Sequence, residues 1–297
     1  TKFLEINNCK FNQGYTPKNV QNNINIWIVS QFNETLEKVT ESIKLYRFND
    51  AADAVYKFFW NSFCDWYLEL IKPTLTSETS SEEKLEMQNI SSWVLCNSLS
   101  IINPFMPYIT ETISKEYFGL KELQLSSAWP KKSVLKNMDI ASTEINFLID
   151  LMTELRVIRS ELNIAYKVKL DLLINNSENE NILIVYKYEK IISNLAKLSS
   201  IKVIDNNFPK GSALGVVNKL SIAIPLSDAI NISDEINRLK KEIDKIQKDI
   251  DKLENNLNNK NFLNRAPENI VNDIKSRLIL NQDKKAKLED SINRLNY

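Results

Sequence analysis

The sequence predicts a mainly α fold in three successive parts. These are a helical bundle over residues 1–140, a small α/β module over 141–227 and an antiparallel coiled-coil hairpin over 228–297. Three observations lead to this prediction. Apolar residues recur at helical spacing in the first part, short β-type runs occur between 167 and 226, and a heptad pattern begins at Ile232.

The first part consists of helical segments joined by short loops, an arrangement typical of a bundle. Predicted helices cover Ile24–Ile43, Ala51–Pro73 and Lys84–Ile102, and another starts near Thr110. The second should end at its proline, because the residue before a proline avoids helical angles. This helix carries aromatic residues three and four apart, a spacing that predicts that most of the stripe is core: Tyr56, Phe59, Trp60, Phe63, Trp66 and Tyr67.

The second part mixes helices and strands. One helix is predicted from about Ser142 to Leu162, and another over Tyr188–Leu198. Apolar and β-branched runs predict strands over 167–174, 182–186 and 201–204, and a strand pair within 213–226. The module is bounded by polar loops.

The third part carries two heptad seams, one on each side of a loop around Pro267. The first seam is unbroken: Ile232, Ile236, Leu239, Ile243, Ile246, Ile250, Leu253 and Leu257. The second runs from Val271 to Leu295, and Asn281 and Lys285 interrupt it, which suggests control of register at some cost in stability. Since a proline suits a first helical turn but not a helix interior, one helix ends near Asn259 and another begins near Ala266. This pattern favours an antiparallel hairpin, with a parallel dimer of chains as the alternative.

Composition excludes several kinds of site. The 297 residues contain 38 basic and 38 acidic side chains, so nucleic-acid binding would need local patches. Histidine is absent, the three cysteines have no zinc spacing, and the four glycines form no phosphate-binding loop, so we expect no metal site. No apolar run approaches the ~20 residues of a membrane span. The chain starts at Thr1 without methionine, which predicts a fragment or a processed product.

Several stretches resemble one family in consecutive order. "TKFLEINN" is similar to the end of a Trp-Asn-Ala-Thr-Arg-Phe helix, with Lys2 in place of the arginine. "FWNSFCDWYLELIKP", "INPFMPYITETI" with "SSAWP", "LRVIRSELNI" and "LNNKNFLNRAPENIV" follow. Together they resemble the C-terminal part of the bacterial valyl-tRNA synthetases, which are class I enzymes. One modest departure is Asp228 and Ala229, where the family often has Gly-Leu.

The resemblance implies an anticodon-binding bundle and a tRNA-binding coiled-coil arm. The parent enzyme would be a valine–tRNA ligase that uses ATP with magnesium, and this part would need no cofactor. The catalytic signatures of the family are missing, so the chain alone should be inactive. The implied partners are valine tRNA and the missing catalytic domain, with no membrane and no DNA, in the cytoplasm.

The candidate RNA-binding residues follow from the same resemblance. In the bundle, Phe3 and Phe11 would stack on bases and Lys2 and Lys10 would contact phosphate, with simple packing of the two rings as the alternative. The arm candidates are Lys240, Lys241, Lys245, Lys248, Lys252 and Arg265. Arg265 could instead close the hairpin turn through hydrogen bonds to carbonyl groups. Arg156 and Arg159 would contact RNA or pair with Glu154 and Glu161.

Two other functions remain open. The isoleucyl and leucyl enzymes share "NPFMPYITE", and their C-terminal region would prefer a different tRNA. A coiled-coil adaptor without RNA affinity is the alternative from another class. "FCDWYLE" together with the arm turn favours the valyl family.

Overall fold

The computed structural model describes residues 1–12, 14–77, 81–175, 180–205, 207–226, 232–258 and 268–295. The contacts between residues divide the chain into two units, Thr1–Ile149 and Asp150–Tyr297. The mainly α fold with a small sheet is confirmed. The predicted boundaries at 140 and 227 stay predictions. Within the described ranges, no helix is long and apolar enough to span a membrane.

The first unit is built from helices. In chain order they are α1 (Lys2–Ile6), α2 (Asn23–Lys44), α3 (Phe48–Tyr56), a π-helix (Lys57–Tyr67), α4 (Leu68–Leu75), α5 (Glu82–Ile102), α6 (Pro107–Glu116), a 3₁₀ turn (Gln124–Ser126) and the first half of α7 (Met138–Glu161). The predicted helices are confirmed as α2, α5 and α7. Pro73 lies in the last turn of α4, which continues to Leu75 rather than ending at the proline.

The bundle core forms where α2 packs against α5 and the π-helix. Phe32 meets the ring of Phe58 at 5.8 Å and that of Trp93 at 5.4 Å, both edge to face. The buried Tyr67 hydroxyl donates to Asn25 Oδ1 at 2.8 Å. Burial raises the pKa of this hydroxyl, so it remains a neutral donor. Aromatic packing and a buried hydrogen bond thus hold α2 against the π-helix.

The π-helix changes which aromatic residues face the core. It follows α3 directly and continues into α4. Phe63 and Tyr67 are buried as predicted, but Tyr56 and Trp60 are 62% and 59% exposed, so the core prediction is wrong for these two. Because a π-helix has more residues per turn than an α-helix, a stripe of period 3.6 does not stay on one face of it.

The second unit contains a four-stranded sheet. Its elements are the end of α7, β1 (Leu170–Asn175), α8 (Asn181–Lys187), α9 (Glu189–Ala196), β2 (Leu198–Ile204), β3 (Ser212–Val217) and β4 (Leu220–Pro225). The strand order is β2-β1-β4-β3, with β1 and β2 parallel and the other pairs antiparallel. The β3–β4 hairpin turns at Asn218 and Lys219, which both have positive φ.

The strand predicted over 182–186 is wrong, because this segment is the helix α8. Both sides of β1 are occupied by β2 and β4, and the parallel pair needs a crossover between its strands. A short apolar run fits a strand and a helix equally well. Here the run lies in the crossover between the parallel strands β1 and β2, and it forms a helix. In the helix only Val185 is buried, while Leu183 is 72% exposed.

The β1–β2 pair contains a carboxylate that makes the fold more stable at neutral or basic pH than at acidic pH. Asp171 Oδ1 accepts hydrogen bonds from the Ser199 and Ser200 hydroxyls, each at 2.7 Å. These bonds lower the pKa of Asp171. A carboxyl with a depressed folded pKa stabilises the fold above its unfolded pKa, and this stability is lost as pH falls through the folded pKa.

We therefore expect that the free energy of unfolding of Asp171→Asn falls less at acidic pH than that of the parent. At neutral pH the variant should lose less than about 1 kcal/mol, because the carboxylate is near solvent. Urea unfolding at neutral pH and near pH 3 measures the effect, with Asp205→Asn as the control. An equal pH dependence in variant and parent would contradict the prediction.

The second unit ends in two long helices, α10 (Ile232–Asn258) and α11 (Glu268–Leu295), which pack along each other. The predicted seams form their interface, since Leu239, Ile246, Ile250 and Leu253 of α10 and Ile274 of α11 are buried. A parallel pair would need a connection of about 40 Å, whereas the intervening residues 259–267 reach about 35 Å at most. The helices are therefore antiparallel, as predicted.

Lys285 interrupts this seam. Its Nζ donates to Gln247 Oε1 on α10 at 2.7 Å and lies 3.5 Å from Glu289 Oε1. We expect Lys285→Leu to stabilise the arm by roughly 1 kcal/mol, because it buries apolar surface in the seam. Thermal unfolding followed by circular dichroism measures this, with Lys284→Leu, at an exposed position, as the control. A lower midpoint for Lys285→Leu than for the control would show that the polar contact contributes more than apolar burial.

Candidate nucleic-acid interface

Four lysines form a row along the outer face of α10. Lys241, Lys245, Lys248 and Lys252 are all exposed, and each stands two residues after a seam position. Because an α-helix turns about 100° per residue, this offset places them about 200° from the seam. This lysine row therefore lies opposite α11 and extends over about 16 Å.

Acidic side chains flank the lysine row on both sides. By heptad position, Asp244 and Asp251 lie on one side, and Glu242 and Asp249 on the other. Lys252 Nζ lies 3.4 Å from Asp249 Oδ1, an exposed ion pair of small energy. Salt screens exposed charges over about 10 Å at 0.1 M, so the attraction is local to the row. A sugar-phosphate backbone that follows the lysine row would be attracted to it, whereas a backbone displaced to either side would meet the flanking carboxylates.

The other two arm candidates are not in this row. Lys240 is exposed, but it follows a seam position by one residue and so lies about 100° from the row. Arg265 lies outside the described residues. The structure thus brings together four of the six predicted arm residues.

The N-terminal candidates lie on a segment anchored to the bundle. The Cys9 carbonyl accepts hydrogen bonds from Ser92 Oγ at 2.7 Å and Tyr117 Oη at 2.8 Å. The Cys9 side chain is buried, which raises the pKa of its thiol to about 12. The segment therefore has a fixed path, and its cysteine is not a nucleophile at neutral pH.

Of the four candidates on this segment, Lys2 and Lys10 are exposed and Phe3 is half-buried. The Phe11 ring packs edge to face on Phe118, with centroids 4.9 Å apart. This contact favours the packing alternative for Phe11. The predicted contacts of Lys2, Phe3 and Lys10 with RNA stay predictions.

The two arginines of α7 differ sharply. Arg156 is exposed, whereas Arg159 is 9% exposed. The Arg159 guanidinium donates to four carbonyl oxygens: Ala165 at 3.4 Å, Val168 at 2.9 Å, Ala196 at 2.8 Å and Lys197 at 3.1 Å. It therefore ties α7 to the C-terminal end of α9. This geometry supports neither the predicted RNA contact of Arg159 nor its pairing with an acid, because the guanidinium is already occupied and buried.

Sequence reasoning missed an apolar surface on the bundle. Ile43, Phe48, Pro104, Phe105 and Trp129 line a groove of about 570 Å³. A second cavity, of about 290 Å³, shares Phe105 with this groove and is lined by the exposed Tyr56 and Trp60. We call the two cavities together the aromatic groove. Exposed aromatic rings offer stacking faces to single-stranded bases.

The turn that carries Phe105 into the aromatic groove is held by hydrogen bonds. Asn103 Nδ2 donates to Thr110 Oγ1 at 2.9 Å, and the Glu111 carboxylate accepts from the backbone N–H of Gln124 and Leu125 at 2.9 and 3.0 Å. The groove is therefore largely preformed. The "NPFMPYITE" motif was the available signal for it, since its polar residues fix the turn that places the ring.

A helical bundle joined to a hairpin with a basic outer row is typical of a helical nucleic-acid-binding protein. Comparison with protein families agrees. Residues 25–174 match the family described as the anticodon-binding domain of tRNA ligase, and residues 231–296 match the valyl tRNA synthetase tRNA binding arm.

Curated relatives match nearly the whole chain. Valine–tRNA ligase of Caulobacter vibrioides is 33% identical over 99% of this chain, and that of Bartonella quintana is 32% identical over 99%. The Rhizobium meliloti valine–tRNA ligase is 31% identical over 94%. The chain belongs to the valyl-tRNA synthetase family of tRNA ligases. It spans about a third of the length of these curated relatives, 33%, 32% and 30% respectively.

Proposed function

We propose that this chain is the tRNA-holding part of a valine–tRNA ligase. The observation that carries the proposal is the coincidence of the lysine row with the segment that matches a tRNA binding arm. The relatives are named valine–tRNA ligase, which supports valine tRNA rather than the isoleucine or leucine tRNA as the partner. The adaptor alternative has no comparable support.

The arm would hold the tRNA through its phosphates. Lysine ammonium groups contact phosphate as point charges and carry no sequence information. The lysine row provides four such groups on one face, and the flanking carboxylates restrict the RNA backbone to that face. The arm therefore supplies affinity and orientation, and leaves the choice of tRNA to other parts of the enzyme.

The bundle would hold the anticodon stem and loop. Residues 25–174 match an anticodon-binding domain, and the exposed rings of the aromatic groove offer a stacking surface. Single-stranded bases are recognised by such stacking together with hydrogen bonds to their edges. Phe3 remains the candidate from the N-terminal segment.

The chemistry of the parent enzyme would reside outside this chain. We propose that the catalytic part attaches valine to the tRNA with ATP and magnesium, in the cytoplasm. The described residues contain no group of three or more His, Cys, Asp or Glu side chains arranged to hold a metal ion. We propose that ATP and magnesium bind to the catalytic part, which would itself be a partner of this chain.

Binding of the full chain to tRNA over a range of salt concentrations tests the proposal. Valine tRNA, isoleucine tRNA, an anticodon-swapped valine tRNA and a DNA duplex of similar charge would be compared by fluorescence anisotropy. We expect tight binding of valine tRNA that weakens steeply with salt and weakens further after the swap. Equal affinity for all four ligands would contradict tRNA recognition, and no binding at low salt by folded protein would favour the adaptor.

The stacking role of Phe3 gives a separate prediction. Phe3→Ala should weaken valine tRNA binding about tenfold, because one base–aromatic stack contributes roughly 1–3 kcal/mol. The anticodon-swapped tRNA should lose less. Phe11→Ala is the matched control, since that ring packs on Phe118 and should affect stability instead. An equal loss for both tRNAs would assign Phe3 to packing.

A further inference from the structure

A second positively charged feature lies on the bundle, away from every residue that the sequence singled out. A cleft of about 370 Å³ opens between the loop before α2 and the segment before α7. Its polar lining residues are Lys18, Asn19, Gln21, Asn23, Lys136 and Asn137. We call it the lysine cleft. Its lining is mostly polar, in contrast with that of the aromatic groove.

The two loops that carry the lysines are tied directly to each other. Ser133 Oγ donates to the Pro17 carbonyl at 3.1 Å, so the residue before Lys18 contacts the segment that leads to Lys136. Asn33 fixes the same segment from α2. Its side chain donates to the Ser133 carbonyl at 2.7 Å and accepts from the Ser133 N–H at 3.0 Å. Ser133 and Asn33 are buried, so the separation of the two loops is set by the core.

The charge in the lysine cleft is uncompensated. Other lysines of the bundle form ion pairs, such as Lys57 with Asp53 at 2.8 Å and Lys72 with Glu69 at 3.2 Å. Among the described residues, neither Lys18 nor Lys136 has an ion-pair or hydrogen-bond partner for its ammonium group. The side-chain amides of Asn19 and Asn137 likewise have none within the described part of the chain, which leaves further donors for a ligand.

The nearby carboxylates are already engaged by other donors. Glu144 accepts from Asn23 Nδ2 at 2.7 Å, and Glu86 accepts from the backbone N–H groups of Gln21 and Asn22 at 2.8 and 3.0 Å. Of the residues that the structure describes, no Asp or Glu lines the cleft. Two cations and two unbonded side-chain amides, with no carboxylate among the described lining residues, provide the chemistry of an anion site, and phosphate oxygens accept both kinds of bond.

We propose that the lysine cleft binds a backbone phosphate of the RNA. The inference rests on the proposed function, which supplies an RNA on this bundle. The cleft is open and larger than a phosphate group, so it can admit the adjoining ribose against Ile26 and the exposed Val134. It gives the bundle an electrostatic contact in addition to the mostly apolar surface of the aromatic groove.

The test compares two charge-matched variants of the full chain. Lys18→Ala/Lys136→Ala should weaken valine tRNA binding about 30-fold at 0.1 M salt and lower the salt slope by about 1.5, because each phosphate contact contributes about 0.7–0.9 to that slope. Lys57→Ala/Lys72→Ala removes the same charge from paired lysines and should change affinity less than threefold. Lys18→Arg/Lys136→Arg should retain most of the binding.

The outcomes separate this inference from the proposed function. If variants of the lysine row lose affinity while Lys18→Ala/Lys136→Ala binds like the parent, the cleft inference is wrong and the proposed function stands. If the parent chain binds no tRNA, both fail. Titration with inorganic phosphate distinguishes the source of the anion. Phosphate binding that the double variant loses, with tRNA affinity unchanged, would assign the cleft to a free anion and overturn the inference.

Discussion

Replacing the four lysines of the row with alanine is expected to lower the affinity for valine tRNA by 100- to 1,000-fold at 0.1 M salt. Each phosphate contact contributes about 0.7–0.9 to the slope of log affinity against log salt, so four contacts contribute about 3 in the slope and a similar number of decades at 0.1 M. The substitutions are Lys241→Ala, Lys245→Ala, Lys248→Ala and Lys252→Ala. All four side chains are exposed, so the helix should remain intact.

The control removes similar charge from other faces of the same arm. Lys240, Lys275 and Lys284 are exposed and lie outside the row. Replacing all three with alanine should reduce affinity only a few-fold and should change the slope by less than about 1. An equal loss in both variants would show that overall charge matters rather than the row. Anisotropy titrations at several salt concentrations give both quantities, and circular dichroism checks that the arm remains folded.

The arm shows how much a strong local pattern can predict. The heptad seam identifies the buried face, and the number of residues between any position and the seam gives the face on which that position lies. Counting from the seam is therefore enough to separate Lys240 from the row. The four residues of the row share an offset of two from the seam, whereas Lys240 has an offset of one.

Arg159 shows a signal that sequence reasoning overlooked. The buried residues of α7 include Leu151, Leu155, Ile158 and Leu162. Arg159 follows Leu155 by four residues and the buried Ile158 by one, which places it near the middle of the buried face, whereas Arg156 follows the buried Met152 by four residues and lies at the edge of that face. The helical period therefore indicated burial for one arginine and exposure for the other. The carbonyl partners of Arg159 could not be predicted, since they belong to a loop and to the end of a helix that is distant in sequence.

Three features had no reliable local signal, namely the helix α8, the π-helix and the lysine cleft. The run "ILIVY" fits a strand or a helix, and only the occupied sides of β1 make it the helix α8. The π-helix has the aromatic spacing of an ordinary amphipathic helix, so the exposure of Tyr56 and Trp60 depends on a change of backbone geometry. The part of the aromatic groove that these two rings line was missed for this reason. The lysine cleft was missed because Lys18 and Lys136 are brought together only by tertiary contacts.

Replacing Arg159 with alanine is expected to destabilise the second unit by roughly 2–4 kcal/mol, because it removes hydrogen bonds to a charged group and leaves carbonyl acceptors unsatisfied, at about 1–3 kcal/mol for each. The substitution removes the Arg159 donor from the carbonyls of Val168 and, at the C-terminal end of α9, Ala196, whereas those of Ala165 and Lys197 keep backbone N–H donors from Val168 and Leu170. A cation at this end of a helix also interacts favourably with its dipole. Burial lowers the pKa of the guanidinium, but an arginine with four acceptors remains charged at neutral pH.

Two further variants separate a structural role of Arg159 from an RNA-binding role. Arg159→Lys should recover part of the stability, because one ammonium group reaches fewer carbonyls than the planar guanidinium. Arg156→Ala, on an exposed position of the same helix, should cost less than about 1 kcal/mol. Urea unfolding measures all three variants. Arg159→Ala should also bind valine tRNA like the parent at a temperature where both are folded. Loss of RNA affinity with unchanged stability would instead assign Arg159 to an RNA contact. A structural role predicts loss of stability with unchanged RNA affinity.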